Sequence, residues 1–137
     1  MQIRDFKPDD CPYLVEILKA NQQYSNPEID GPEAMMRVHQ CRAAEFLVAE
    51  EDGKPVGMIR GVYDGSRAII HIASVHPDYQ RRGIGRALVK EIARRFKERG
   101  ARSLAVTVPG ELGFWEKMGF KRTSRIMFAY PIEEVSG

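Results

Sequence analysis

One junction, past the middle of the chain, constrains the fold more than any other feature. Residues 69–75 (Ile69, Ile70, His71, Ile72, Ala73, Ser74, Val75) are apolar at nearly successive positions, the pattern of a strand covered on both faces. A loop with glycines at 83 and 85 follows, and then Gly85, Leu88, Val89, Ile92, Ala93 and Phe96 recur at helical spacing. That spacing is one continuous apolar stripe on an α-helix. Arg86, Lys90, Arg94 and Lys97 take the other side, and Gly100 supplies a C-terminal stop. A strand is expected at 103–108. Strand, helix and strand in this order require a right-handed parallel crossover.

The remaining segments surround that unit. A short strand at 2–6 leads into a helix opened by Pro8, Asp9 and Asp10, with Leu14, Val15, Ile17 and Leu18 as its stripe. Residues 21–31 read as a polar loop, and Pro32 opens a second helix expected over 33–44. Strands at 46–50, 56–63 and 67–75 are separated by the turns Glu51-Asp52-Gly53-Lys54 and Asp64-Gly65-Ser66. A short helix at 111–118 and a last strand at 121–130 complete the reading. The expected class is α/β, with a mixed, largely antiparallel sheet, one parallel strand pair and helices on both faces. No repeat or linker interrupts the chain, so a single domain over 1–137 is expected.

Composition removes several functional classes. Of 137 residues, 43% are hydrophobic and 29% charged, which suits a globular chain with one core. The first residues are polar and charged, without a secretory pattern, and the longest nearly apolar stretch falls far short of the roughly 20 residues a membrane span needs. Cys11 and Cys41 form no framework, so a reducing, cytoplasmic compartment is expected. Three histidines and no cysteine pair leave little for a metal, and none is expected. Net charge is only +2, but residues 80–102 carry nine basic and two acidic side chains while residues 1–79 carry 8 basic and 13 acidic. The basic segment suits an anion. It lacks interleaved aromatics, so nucleic acid is not an expected partner.

The loop itself narrows the anion. A helix start presents unpaired backbone N–H groups and the positive end of the dipole. Glycines at 83 and 85 remove the β-carbons that would hold a phosphate away from the backbone, and Arg81, Arg82 and Arg86 add charge. A Rossmann fingerprint would require a small residue where Leu88 stands, and the only Gly-Lys pair, Gly53-Lys54, is followed by Pro55 rather than Ser or Thr. Both nucleotide-fold readings therefore fail; what remains is a pyrophosphate of another ligand, or an ordinary glycine turn into a solvated, Arg-rich helix.

Val75-His76-Pro77 with Gln80-Arg81-Arg82-Gly83-Ile84-Gly85 resembles the acyl-CoA-binding signature (Q/R-x-x-G-x-G/A) of the GNAT superfamily of N-acyltransferases. Phe114-Trp115-Glu116-Lys117-Met118-Gly119-Phe120 resembles a second element of that family, near the end of its domains. The order of elements agrees, and the resemblance spans essentially the whole chain. It implies transfer of an acetyl group from acetyl-CoA to a primary amine, of a small molecule or a protein, by direct attack in a ternary complex. By position, Gln80, Arg81, Arg82, Gly83, Ile84, Gly85, Arg86 and Ala87 would hold the pyrophosphate, mainly through backbone N–H groups. Ala73, Ser74 and Val75 would pair with the pantetheine arm between splayed parallel strands, and a backbone N–H near Val75 would polarise the thioester carbonyl.

The chain departs from the family pattern in two places. Trp115 stands where many members have the Tyr that protonates the departing thiolate, and indole has no useful acidity. A thiol of pKa about 8.5 still leaves readily near neutral pH. The Asn often found seven residues earlier is Val108, unlike a typical ribosomal-protein acetylase. A base is needed because an amine of pKa about 10 is mostly protonated at pH 7. His71, on the strand before the loop, occupies a position where some relatives carry one, while Ile69 stands where many have Glu. A packed strand histidine is the plain alternative. Glu50, Tyr63 and Asp64 are weaker candidates acting through water; Tyr24, Glu28 and Asp30 read as an exposed polar loop or, alternatively, as an acidic pocket around a cationic amine. A non-catalytic acyl-CoA-binding module is the rival that Trp115 favours. Dimers are common in such families, so a homodimer is among the states expected.

Overall fold

The computed structural model describes residues 1–108, 110, 112–123 and 127–137. Contacts divide the chain into two compact units, Met1–Val106 and Thr107–Gly137.

The first unit is a five-stranded sheet in the order β1 (Gln2–Asp5), β2 (Ala44–Glu51), β3 (Lys54–Tyr63), β4 (Ala68–Val75) and β5 (Leu104–Val106). The first four strands run antiparallel, and β4 and β5 are parallel. Helix α1 (Cys11–Ala20) follows a short 3-10 turn, α2 (Pro27–Asp30) and α3 (Pro32–His39) succeed it, and α4 (Ile84–Glu98) makes the crossover. The mixed sheet, the parallel pair and the helices on both faces match the expected class.

Side-chain alternation gives each face of the sheet its own core. Phe46, Val48 and Met58 join Phe6, Leu14, Ile17, Leu18 and Met35 under α1 and α3. Gly57 faces the opposite way, beneath Leu88 and Ile84, so α4 lays its buried stripe of Ile84, Leu88, Val89, Ile92 and Phe96 over Ile59 and the other residues of that parity. The helix ends as its sequence implies. Gly100 takes a left-handed φ of 112°, its N–H donates to the Lys97 carbonyl, and the Ala101 N–H donates to the Phe96 carbonyl, the paired bonds of a Schellman stop. At the other edge of the sheet, buried Asp10 accepts two bonds from Arg4, whose Nε also donates to Glu50.

Three expected elements end differently. The second helix was expected to reach residue 44, but it stops at His39 and Ala44 pairs with Val62 in the sheet. Helix propensity at residues 42–44 is outweighed by strand pairing. The expected strand 103–108 is ordered as strand only over Leu104–Val106. The expected strand 121–130 is not formed at 121–123 or 127–130, while residues 124–126 lie outside the described residues. In the second unit the structure shows α5 (Gly113–Met118) and α6 (Glu133–Ser136). Residue 111, the expected start of the short helix, is also outside the described residues. Among the described residues no helix is long and apolar enough to cross a membrane, and none cluster as a metal site.

Candidate active site

Strand β4 has two different edges. It pairs with β3 along its whole length, but with β5 only through Ala68, Ile69 and Ile70. Residues 71–75 therefore have a strand neighbour on one side alone among the described residues. Amide side chains meet this stretch. Asn21 Nδ2 donates to Ser74 Oγ and to the Val75 carbonyl, both at 2.8 Å. Gln23 Nε2 donates to the Ala73 carbonyl at 3.4 Å. Gln80 Nε2 donates to the same Val75 carbonyl at 2.9 Å and to Asn21 Oδ1 at 3.2 Å. The C-terminal end of α1 is thus tied to the end of β4 and to the loop that follows. By sequence, 21–23 is only a polar loop; the run Asn-Gln-Gln directly after a helix is the signal that points to these ties.

The loop then makes two left-handed excursions. His76 Nδ1 accepts from the Asp78 N–H at 3.1 Å and caps the 3-10 turn Pro77–Tyr79. Arg81 has φ 65° and Gly83 φ 82°. A β-carbon on Gly83 would meet nothing within 4 Å, so backbone conformation rather than crowding calls for glycine there. Among the described residues no side chain caps α4, which leaves its first turn to backbone donors and whatever they bind. Ile84 is anchored in the core, so it offers its backbone alone. Arg81, Arg82 and Arg86 are exposed around it and Gly85 and Ala87 half-buried. Arg82 stacks over the Tyr79 ring at 5.0 Å. Of the predicted loop residues, Gln80 has its side chain committed to the tie with β4.

His71 sits at an irregularity in β4. Arg60 is opposite Ile72 and Gly61 opposite Ile70, so His71 is the extra residue of a β-bulge. A β-carbon at Gly61 would lie 2.2 Å from the Ile69 carbonyl oxygen, and the close approach at this bulge requires glycine there. His71 is exposed by surface area, yet its imidazole is crowded enough that burial, with Arg60 second, lowers its pKa. A neutral imidazole near pH 7 is competent to accept a proton. The weaker base candidates are occupied. Glu50 receives Arg4, the Tyr63 hydroxyl donates to the Gly65 carbonyl, and Asp64 accepts from the Ser66 and Arg67 N–H groups. Those backbone bonds hold the Asp64 carboxyl below its ordinary range, Arg67 first.

Asp30 does not stand free for a cationic amine; its Oδ1 faces Arg60 Nη2 at 3.4 Å. Burial pushes the Asp30 carboxyl up and the Arg60 guanidinium down, and each is partly offset by the other. Tyr24 is half-buried against the α1 core. In the second unit, Trp115 packs edge-on against Phe114 and Phe120.

A family model described as the acetyltransferase (GNAT) family matches residues 12–120. The chain belongs to that family. It is 31% identical over 134 residues to an acetyltransferase of Yersinia pestis (strain Pestoides F), covering 93% of this chain and 92% of the relative. Among solved structures it resembles a transcriptional regulator from Bacillus halodurans C-125, with a TM-score of 0.80 at 25% identity, covering 94% of this chain and 98% of the other. It also resembles the PaiA N-acetyltransferase from Thermoplasma acidophilum in complex with coenzyme A, with a TM-score of 0.71 at 22% identity, covering 88% and 89%. Membership in this family makes acyl transfer the general activity.

Proposed function

We propose that this GNAT protein transfers an acetyl group from acetyl-CoA to a primary amine by direct attack in a ternary complex. The observation that carries the reading is the continuity of the β4 edge with the α4 start. A stretch with one strand neighbour, Ala73–Ser74–Val75, runs through a loop with left-handed Arg81 and Gly83 into a helix that no side chain among the described residues caps. Pantetheine would lie along the first part as a short added strand, and backbone N–H groups of 83–86 would receive the pyrophosphate, the Ala87 N–H being already donated to the Gly83 carbonyl, with Arg81, Arg82 and Arg86 neutralising it. Residues 1–137 act in this reading as one acetyltransferase domain, since the family model runs across the boundary between the two units.

In the chemical step the amine nitrogen attacks the thioester carbonyl carbon. A backbone N–H near Val75 stabilises the oxyanion, the carbon–sulfur bond breaks, and coenzyme A leaves as its thiolate. His71 takes the proton released by nitrogen. Trp115 donates no proton to sulfur, and a thiol of pKa about 8.5 does not need one.

Gly83→Asp tests the coenzyme site. It places a carboxylate at the phosphate position in a backbone conformation that Asp tolerates. Acetyl-CoA at 100 times its dissociation constant should stabilise the wild type by about 2.7 kcal/mol, and this thermal shift should vanish in the variant. An equal shift in both proteins moves the coenzyme elsewhere. Thiol release that appears only when amines are added establishes transfer; a coenzyme shift with no release from a broad amine panel supports the binding-module reading that Trp115 favours.

A further inference from the structure

The family resemblance leaves the acceptor open, and one buried side chain on the α1 face narrows it. Arg60 projects from the middle of β3, with only 8% of its side chain exposed. Its guanidinium lies over the Phe46 ring at 5.7 Å, a contact that holds the planar fork in place. Nη2 donates to the Ile29 carbonyl at 3.1 Å and reaches one oxygen of Asp30 at 3.4 Å. Nη1 is buried and has no hydrogen-bond partner among the described residues.

Such an arrangement is costly as it stands. A guanidinium is always charged and carries donors only, and a buried donor without an acceptor forfeits its hydration. The single long contact with Asp30 is not the bidentate pairing that a carboxylate and a guanidinium normally form. Core packing does not call for a cation here, since the same face is lined by Phe46, Val48 and Met58. The position is also specific. Arg60 is the cross-strand partner of Ile72, so it stands beside the bulge that carries His71. A cation placed there disfavours a protonated amine nearby, which helps the nucleophile but repels a polycationic acceptor.

We infer that Nη1 of Arg60 receives a carboxylate of the acceptor, which makes the acceptor a small amine that itself bears a carboxylate, as an amino acid does. A monoanion fits better than a phosphate dianion, because Asp30 already neutralises part of the charge and would repel a second full charge beside it. Nη1 is shielded from solvent, so the carboxylate enters with a shift of the 21–31 segment, which holds Ile29 and Asp30. The inference rests on the acetyl-transfer reading above.

The experiment is a comparison of matched acceptors: each common amino acid against its carboxamide, with acetyl-CoA, followed by thiol release and preceded by a coenzyme thermal shift on every protein used. For at least one pair the acid should exceed its amide by about 100-fold or more in kcat/KM, the scale at which a site built for a polar group rejects an analogue without it. Arg60→Met should remove that preference, so that the acid-to-amide ratio of kcat/KM falls by the same factor toward one. Should Arg60→Met give no coenzyme shift, Asp30→Asn decides. It frees the guanidinium, so a lower KM for the acid relative to the amide supports the inference and an unchanged ratio overturns it. Amides used as well as acids, or no acid used at all by a protein that binds coenzyme, overturns the carboxylate inference alone. No coenzyme shift in the wild type overturns the acetyl-transfer reading, and the inference with it.

Discussion

The face of the sheet under α4 buries Ile84, Leu88, Val89, Ile92 and Phe96, while the buried polar side chains among the described residues, Asp10, Arg60 and Ser74, belong to the α1 face. Both faces exclude water, yet they differ in what would be lost by changing them. On the α4 side any apolar residue of similar volume would serve, because burial is non-directional and scales with area. On the α1 side, Asp10 is held by Arg4, Ser74 by Asn21, and Arg60 by Ile29 and Asp30. Those bonds are directional, and one donor is left over. The α4 face holds the sheet together and seats the loop helix. In the proposed reaction, binding and proton transfer would fall to the α1 face and to the β4 edge.

Phe96→Ala should produce the largest effect and break the α4 side of this comparison. The ring is 1% exposed, and truncating such a residue costs about 3–5 kcal/mol, read as a lower urea midpoint at unchanged slope. Coenzyme affinity per folded molecule should hold, since nothing at the loop changes.

A smaller change belongs to the α1 side. His71→Gln should lower kcat/KM about 100-fold, or about 2.7 kcal/mol in barrier. It should also remove the low-pH limb of the profile. The limb lies below the ordinary histidine value of 6.5, because the folded pKa is lowered, and activity falls as pH drops through it and the imidazole protonates. Stability should move in the same direction. With the folded pKa below the unfolded one, the unfolded chain binds more protons between the two, so stability decreases as pH falls from 6.5 toward the folded value. A wild-type pH profile in the variant would assign the base elsewhere.

Asn21→Ala gives the smallest effect and sharpens the comparison. It removes two donors from Ser74 and Val75, a loss of about 1–3 kcal/mol in which unpaired Ser74 is the larger part. Because Gln80 still holds Val75, coenzyme binding should weaken by less than about tenfold, as followed by thermal shift.

The sheet, the crossover helix and the loop were legible because each has a local signature. The apolar stripe of α4 recurs every turn, the hairpin turns carry Asp and Gly, and the strand at 67–75 is apolar on both parities. Alternation then fails inside that strand. Ile70 and Ile72 are two apart and by simple pleating share a face, but the bulge at His71 sets them opposite Gly61 and Arg60, on different faces. Nothing local to 69–72 reveals this. Its visible counterpart is Gly61, on another strand. The polar loop was equally opaque, since Asp30 reads as an exposed acid until β3 brings Arg60 beneath it.

Sequence alone settled the fold class, the strand–loop–helix junction and the resemblance that places this chain among the GNAT acetyltransferases, because periodicity, turn residues and helix stops act over a few residues. The tertiary structure decided which amides close the β4 edge, which acid meets Arg60, and that His71 stands beside a guanidinium with a free donor. Apart from the local Gln80–Val75 bond, those are contacts between residues about 10 to 60 positions apart, and only the packing of helices against a registered sheet brings such pairs together.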